Sequence, residues 1–344
     1  MMAQPITLSP EALAERVTRI FLAGGLSQLQ AETLAATIVA GERDACKSHG
    51  IYRIEGCLRT VAAGKVQPQA EPELQDDGSP IVRVDAKGAF STAAFAIGLP
   101  VLVERARQHG LAAMVVNSCT HISALWPEIE AITAEGLAAM VMCPSYSTVA
   151  PAGGSAPLLG TNPFAFGWPR KDASPYVFDF ATSVMARGDV ELHRIEGRPL
   201  PEGTAVDRDG NPTIDPAEAL AGAMLPFGGH KGSAISTMIE LLAAAMIGDL
   251  NSAECLDYLG TTTLGPHHGE LILAFSPERF AAGRADPFAR AETLFEAILG
   301  QGARLPSQRR FEARKRSAAE GIALTAEEVE MLERLERAPF GAQA

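Results

Sequence analysis

The chain has 344 residues, of which 47% are apolar and 20% charged, and its formal net charge is -12. At roughly 100–200 residues per domain, this length suggests two domains with ample material for a core. The acidic balance argues against nucleic acid or an anionic membrane as the main partner, since both need a surplus of Lys and Arg.

The five cysteines, Cys46, Cys57, Cys119, Cys143 and Cys255, are odd in number, widely spaced and free of any C-x-x-C pair. This usage fits a reducing, cytoplasmic setting better than a disulfide framework. The N-terminal residues lack the basic-then-apolar layout of a signal peptide. The longest apolar stretch, Ser233 to Gly248, contains Glu240 and falls short of the ~20 residues a membrane span needs, so it reads as a buried helix.

Ser9-Pro10-Glu11 is a helix start, with Leu13, Val17, Ile20 and Phe21 at helical spacing and Gly24-Gly25 as the stop. Ser27 with Gln30 resembles a capping box for a second helix reaching about Cys46. A third is expected after Ser48-His49-Gly50, running to about Ala63. Ile81–Val84 reads as a strand, Ala96–Gln108 as a helix, Ala113–Val116 as a strand, Ala124–Ala134 as a helix and Leu137–Met142 as a strand. Residues 144–175 are dense in Pro, Gly, Ser and Asn and read as a long functional loop. Tyr176–Phe180 and Glu270–Phe275 are further strands, residues 197–216 are turn-like, and Thr325 with Glu328 opens a C-terminal helix carrying Val329, Leu332 and Leu335. Both chain ends are helical and the middle holds most strands. The expected domains are therefore 1–115 plus 295–344, helical, and 116–294, built on a central sheet.

No G-x-G-x-x-G, G-x-x-x-x-G-K-[ST] or H-E-x-x-H occurs, so the usual dinucleotide turn, the P-loop and the common zinc motif are missing. His267 and His268 are adjacent, so they point in different directions and make poor joint metal ligands; no metal is expected. Ser48-His49-Gly50-Ile51-Tyr52-Arg53 places a candidate general acid four residues before an arginine. If helical, the two share a face and suit a substrate with a carboxylate beside its reacting centre. The alternative is a Ser cap with a solvated His and Arg. Gly228-Gly229-His230-Lys231-Gly232-Ser233 reads either as an anion-binding helix N-terminus or as a plain glycine-rich helix start. Asn117 to His121, Gly160-Thr161-Asn162-Pro163 and Asp179 to Ser183 lie at strand ends or turns, where ligands or simple caps both occur. Asp189 could orient a catalytic imidazole, although sequence alone does not place it beside His49. Arg304 to Arg310 is a basic cluster that could hold phosphates, or be a solvated helix start capped by Ser307.

In order, Ser48-His49-Gly50-x-x-Arg53, Gly160-Thr161-Asn162-Pro163, Asp179-x-Ala181-Thr182-Ser183, Leu200-Pro201-Glu202-Gly203 and Gly228-Gly229-His230-Lys231-Gly232 resemble the malate/L-lactate dehydrogenase family, the branch unrelated to Rossmann-type enzymes. The resemblance spans roughly residues 10–335. His121-Ile122-Ser123-Ala124-Leu125-Trp126-Pro127 departs from the Asn-His-Phe-Gly of the hydroxy-acid dehydrogenases. It is similar instead to the subgroup of Δ1-piperideine-2-carboxylate/Δ1-pyrroline-2-carboxylate reductases, with Ile122 in place of that subgroup's Phe.

The resemblance implies an α/β, non-Rossmann nicotinamide-binding fold with a mixed or antiparallel sheet and a helical domain built from both chain ends. It implies a homodimer using NADPH, with NADH possible, on a small cyclic imine bearing a carboxylate. His49 would be the proton donor, in a relay with Ser48 and Asp189; Arg53 and Thr161 would bind substrate. His121, Ile122, Ser123, Ala124, Leu125, Asp179, Phe180, Ala181, His230, Lys231, Arg304, Leu305, Pro306, Ser307, Gln308 and Arg309 would line the cofactor. The competing readings are a 2-hydroxy-acid dehydrogenase on the same residues and a catalytically silent binding protein on the same scaffold.

Overall fold

A computed structural model describes residues 6–122 and 124–340. In chain order the strands are β1 (Ile6–Leu8), β2 (Glu73–Gln75), β3 (Ile81–Asp85), β4 (Leu111–Thr120), β5 (Ala138–Met142), β6 (Phe164–Trp168), β7 (Tyr176–Phe180), β8 (Ala205–Val206), β9 (Pro212–Thr213), β10 (Ala223–Met224), β11 (His267–Phe275) and β12 (Ile322–Leu324). The helices are α1 (Pro10–Ala23), α2 (Gln28–Arg43), α3 (Ile54–Ala62), α4 (Ser91–His109), α5 (Trp126–Ala134), α6 (Arg187–Ile195), α7 (Pro216–Ala221), α8 (His230–Glu240), α9 (Ser252–Leu259), α10 (Pro277–Ala281), α11 (Pro287–Gly300), α12 (Gln308–Glu320) and α13 (Ala326–Arg337).

The central sheet has seven strands in the order β2-β3-β4-β11-β5-β6-β7. Only β3 and β4 run parallel; the other neighbours are antiparallel, which is the mixed sheet expected. β11 comes from far along the chain and inserts between β4 and β5, pairing Leu271 with both Val115 and Met142. Its inner residues Ile272 and Ala274 join Val82, Met114, Val141, Ala165 and Ile129 in the main core. A second core gathers Leu13, Ile20, Leu34, Ile38 and Leu58 from the start of the chain with Ile322, Leu324, Leu332 and Leu335 from its end. β1 pairs with β12, so the two ends are tied by backbone as well as by apolar packing. The expected domain boundary at 115/116 falls inside β4, and β2 and β3 before it belong to the central sheet. The helical body therefore comprises the first three helices and the last, not the whole of 1–115.

Several elements differ from expectation for local reasons. Ser27 accepts the Gln30 N–H at 3.4 Å, but the Gln30 side chain does not close a capping box. It is buried instead, donating to the carbonyls of Gln67, Pro68 and Ala70 and accepting from Phe90 N–H. α2 ends at Arg43, and residues 47–49 and 51–53 form two short 3-10 turns before α3. The loop of 144–175 hides β6, whose Phe164-Ala165-Phe166-Gly167-Trp168 alternates buried and half-buried residues. The apolar stretch after Gly232 is helical but not buried all round: Leu241 is 59% and Met246 61% exposed.

One ion cluster bolts α2 to α12. Asp44, with its side chain buried, accepts from Arg43 Nε at 2.8 Å, Arg314 Nε at 2.9 Å and Arg310 Nη1 at 3.1 Å. Arg310 and Arg314 also pair with Glu130 of α5. Burial alone would raise the Asp44 carboxyl, but the hydrogen bonds from Arg314 and Arg43 outweigh it and hold the group at about 2. Removing one partner of a buried charge cluster typically costs about 3–5 kcal/mol. Asp44→Ala is expected to lower unfolding stability by an amount of that order in urea titrations. In the wild type the contribution is present above the ordinary aspartate value and is lost as pH falls towards about 2.

Candidate active site

An open cleft of about 1640 Å³ runs between the helical body and the edge of the sheet. One wall is the segment after α2. Glu42, buried at the end of α2, accepts the Ile51 N–H at 2.9 Å, and Lys47 Nζ lies 2.5 Å from the same carboxylate. These contacts fold residues 47–53 into paired turns. Gly41 allows them to lie on α2, since a Cβ there would stand 2.5 Å from the His49 carbonyl oxygen.

His49 and Arg53 do not share a helical face, because the segment is not one helix. They meet through the turn: Arg53 Nε donates to the Ser48 carbonyl at 2.6 Å, and Ser48 Oγ lies 3.1 Å from His49 Nδ1. Gly188 presses on Arg53, where a Cβ would come 2.6 Å from Nη2. Among the described residues Arg53 has no carboxylate partner, and its remaining donors stand in the cleft. Trp126 packs edge-on to the His49 ring at 5.7 Å between centroids, and the Arg310 guanidinium covers Trp126 at 4.9 Å. Burial pushes the His49 imidazole down to about 3, and the nearby Arg53 charge adds to this. The free site therefore holds a neutral His49 near pH 7.

Asp189, in the first turn of α6, lines the same cleft but makes no hydrogen bond to Ser48 or His49. Thr161 is a cleft residue too; its carbonyl accepts from Thr182 N–H at 2.8 Å and Thr182 Oγ1 at 3.0 Å. Neighbouring Asn162 is a buried bracket, donating to Ser236 Oγ at 2.9 Å and Glu240 Oε1 at 2.7 Å.

The opposite side of the cleft collects His121, Ile122, Ala124, Asp179, Phe180, Ala181, Arg304, Leu305, Pro306, Ser307, Gln308 and Arg309. Asp179 fastens this wall: Oδ2 accepts from Leu125 N–H at 2.8 Å and Trp126 N–H at 3.0 Å, capping α5. Burial pushes its carboxyl up to about 6 despite those two bonds and the Arg310 charge. Ser307 does not cap α12; at φ 64° its hydroxyl donates to the Val177 carbonyl at 2.7 Å and accepts from Arg310 Nη2 at 2.9 Å. Arg310, the last of the basic cluster, is buried in its ion pairs, whereas Arg304 and Arg309 are exposed and pair with no carboxylate among the described residues.

Three expected cofactor residues lie elsewhere. Leu125 is fully buried and offers no side chain to the cleft. His230 and Lys231 are exposed at the start of α8, outside the cleft walls. Ser123 lies outside the described residues. Conversely, Trp126, His268 and Arg316 line the cleft without having been singled out for it. On β11 the His268 ring faces His121, 5.9 Å away, while His267 faces Tyr258.

An imidazole and an unpaired guanidinium on one wall, free arginines on the other and no glycine-rich dinucleotide turn define a nicotinamide-dependent oxidoreductase of the non-Rossmann kind. The chain belongs to the malate/L-lactate dehydrogenase family, whose profile matches residues 8–333. It is 70% identical over 336 residues to a Delta(1)-pyrroline-2-carboxylate reductase of Agrobacterium fabrum, covering 97% of each chain. It is 54% identical over 320 residues to a Delta(1)-pyrroline-2-carboxylate/Delta(1)-piperideine-2-carboxylate reductase of Pseudomonas aeruginosa, covering 93% of this chain and 96% of that one. The crystal structure of delta1-piperideine-2-carboxylate reductase from Pseudomonas syringae superposes with a TM-score of 0.91 at 42% identity, over 96% of this chain and 99% of that one.

The cleft fits a dinucleotide together with a small acid: its volume exceeds the roughly 300–1,000 Å³ of drug-sized sites, and Arg304 and Arg309 are free cations in its wall. Asp179→Ala is expected to release the 124–126 turn and weaken nicotinamide-cofactor binding by roughly 10- to 100-fold, since charge-assisted hydrogen bonds contribute about 1.5–3 kcal/mol. Fluorescence titration of the cofactor checks this; an unchanged Kd shows that the turn holds without the carboxylate.

Proposed function

We propose that the protein reduces the C=N bond of Δ1-pyrroline-2-carboxylate and Δ1-piperideine-2-carboxylate with NADPH, giving L-proline and L-pipecolate. The observation that carries this reading is the Arg53 guanidinium, held by one donor to the Ser48 carbonyl and left otherwise without an anionic partner beside His49. It matches a substrate whose carboxylate is attached to the carbon that is reduced. The strong likeness over nearly the whole chain to reductases of these two imines supports the same substrate class here.

NADPH supplies the hydride when bound. Arg53 anchors the carboxylate and so aims the imine carbon, while Thr161 closes on the substrate from the other side of the cleft. His49 delivers a proton to the ring nitrogen, with Ser48 Oγ orienting the imidazole through Nδ1. A carboxylate seated on Arg53 offsets the charge that depresses His49, so substrate binding lifts the imidazole towards the range where it can carry a proton. Asp189, in the same cleft at the start of α6, is the third member of the relay. What supports NADPH over NADH is the pair Arg304 and Arg309, cleft cations without a carboxylate partner among the described residues and of the kind that binds a 2′-phosphate. A homodimer accounts for the apolar surface at Leu241 and Met246. The five cysteines are all unpaired, which fits the cytoplasm. Among the described residues no helix is long and apolar enough to cross a membrane.

The direct test is NADPH oxidation with each cyclic imine against 2-keto acids such as pyruvate and oxaloacetate. Turnover confined to the keto acids overturns the reading. His49→Ala is expected to lower kcat by about 100- to 10,000-fold with cofactor binding intact. Arg53→Lys is expected to raise KM for the imine, because a point charge does not reproduce the bidentate fork. Finally, the His49 resonance should titrate higher in the NMR spectrum of the complex with pyrrole-2-carboxylate, a planar mimic of the substrate, than in the free enzyme. Equal values would show that the carboxylate does not sit on Arg53.

A further inference from the structure

Behind the His121 wall lies a group of side chains that the proposed reaction does not use. Glu128, in the first turn of α5, and Glu270, on β11, are both buried. Neither lines the cleft, but His121 and His268 do, so the cluster touches the cleft through its two imidazoles. A bulge between His268 and Glu270 interrupts the alternation of β11, and both side chains approach His121, His268 with its ring 5.9 Å from the His121 ring. One oxygen of Glu270 stands 3.8 Å from His121 Nε2, and one atom each from His121, Glu128 and Glu270 lie within 4.8 Å of one another.

No lysine or arginine reaches the two carboxyls among the described residues. The titratable groups facing them are Cys119 and His121 from β4 and its end, His268 from β11, Cys143 after β5 and Asp179 from β7. Both oxygens of Glu270, one of Glu128 and Nε2 of His268 are buried with no conventional hydrogen-bond partner. Two adjacent carboxylates without a cation are not both ionised in such a setting, because desolvation and mutual repulsion act together. Burial raises both carboxyls, and the close approach of Glu270 raises Glu128 further, so Glu128 keeps its proton and Glu270 is the member that gives one up.

We propose that Glu128 and Glu270 form a buried acid pair that stores a proton and passes it through His121 into the cleft, restoring the proton that His49 gives to the ligand. This rests on the reductive reading above, in which each turnover adds one hydride to carbon and one proton to nitrogen. In the step, the O–H bond of Glu270 breaks and an N–H bond forms at His121 Nε2, directly or through one water. The proton on His121 Nδ1 passes in turn, through water in the cleft, to His49, which has given its own to the ligand nitrogen. Glu270 is left as a carboxylate accepting a hydrogen bond from protonated Glu128, and solvent protons entering the cleft refill it. His121 is buried and pushed down to about 3, so it is neutral at rest and serves as a relay rather than a store. Glu270 acts through His121 and is a positioning and supply residue, not one that touches substrate.

Glu270→Gln and Glu128→Gln keep the side-chain volume and remove the transferable proton. The holoenzyme is assayed with Δ1-pyrroline-2-carboxylate and NADPH across pH, in H₂O and D₂O. For Glu270→Gln, kcat is expected to fall on the order of 10-fold or more. KM and cofactor Kd should stay put, the solvent isotope effect should grow, and the alkaline fall of kcat should be lost. A variant with unchanged kcat, pH profile and isotope effect overturns the proposal. Infrared spectroscopy of the wild type at neutral pH, which needs neither turnover nor a folded variant, should show the C=O stretch of a dry protonated carboxyl. Its absence, or a stoichiometric divalent metal bound at these side chains, also overturns it. If the wild type turns over no cyclic imine, the reductive reading fails by itself, while the infrared band still decides whether the acid pair exists.

Discussion

The structure depends on the insertion of β11 between β4 and β5. Without it the sheet would be two unconnected pieces: β2-β3-β4 on one side and β5-β6-β7 on the other. Its backbone bonds on both edges place Ile272 and Ala274 in the main core, so the sheet and the core close in the same step. The contacts are long-range, and loop-closure entropy must be overcome before they form. The same strand carries His268 and Glu270 to the back of the cleft.

The walls of the cleft come from distant parts of the chain, and their fit is electrostatic as much as apolar. Asp44 gathers Arg43, Arg310 and Arg314, and Arg310 then lies over Trp126, whose edge meets His49. A stack of this kind adds packing to the Ser48 contact at Nδ1 in fixing the imidazole. On the far wall Asp179 performs a comparable service for the turn at 124–126. Both carboxylates are buried, yet they titrate in opposite directions. Asp44 has guanidinium partners and is depressed; Asp179 has two backbone N–H groups, which do not overcome its desolvation, and is raised.

His49 and Arg53 show how a pair of ordinary residues becomes specific. Neighbouring positive charge and burial keep His49 neutral in the free site, and Arg53 has its backbone-facing donor satisfied while the others await an anion. On the proposed reading a ligand carboxylate would relieve both conditions at once, and a molecule without one would leave the guanidinium unpaired.

By itself the amino-acid sequence determined the local pieces. Ser9 and Thr325 cap their helices as expected because capping is a contact over three residues, and Tyr176–Phe180 is a strand because its composition is strand-like. The ordered motifs around Ser48, Thr161, Asp179 and Gly228 also marked the family, which its profile bears out. Tertiary structure decided the rest. The turns at 47–53 follow from buried Glu42 and from the close approach at Gly41, neither of which has a signal in spacing. Gln30 left its capping box because burial offered its amide three carbonyls at once. β6 was hidden by the turn residues flanking it, and the boundary at 115/116 failed because a sheet can take strands from either side of any point in the chain. Arg304, Arg309 and Arg310 read alike in sequence. Only Arg310 meets Asp44 and Glu130, so desolvation and pairing, which are properties of the folded neighbourhood, divide a structural cation from two free ones.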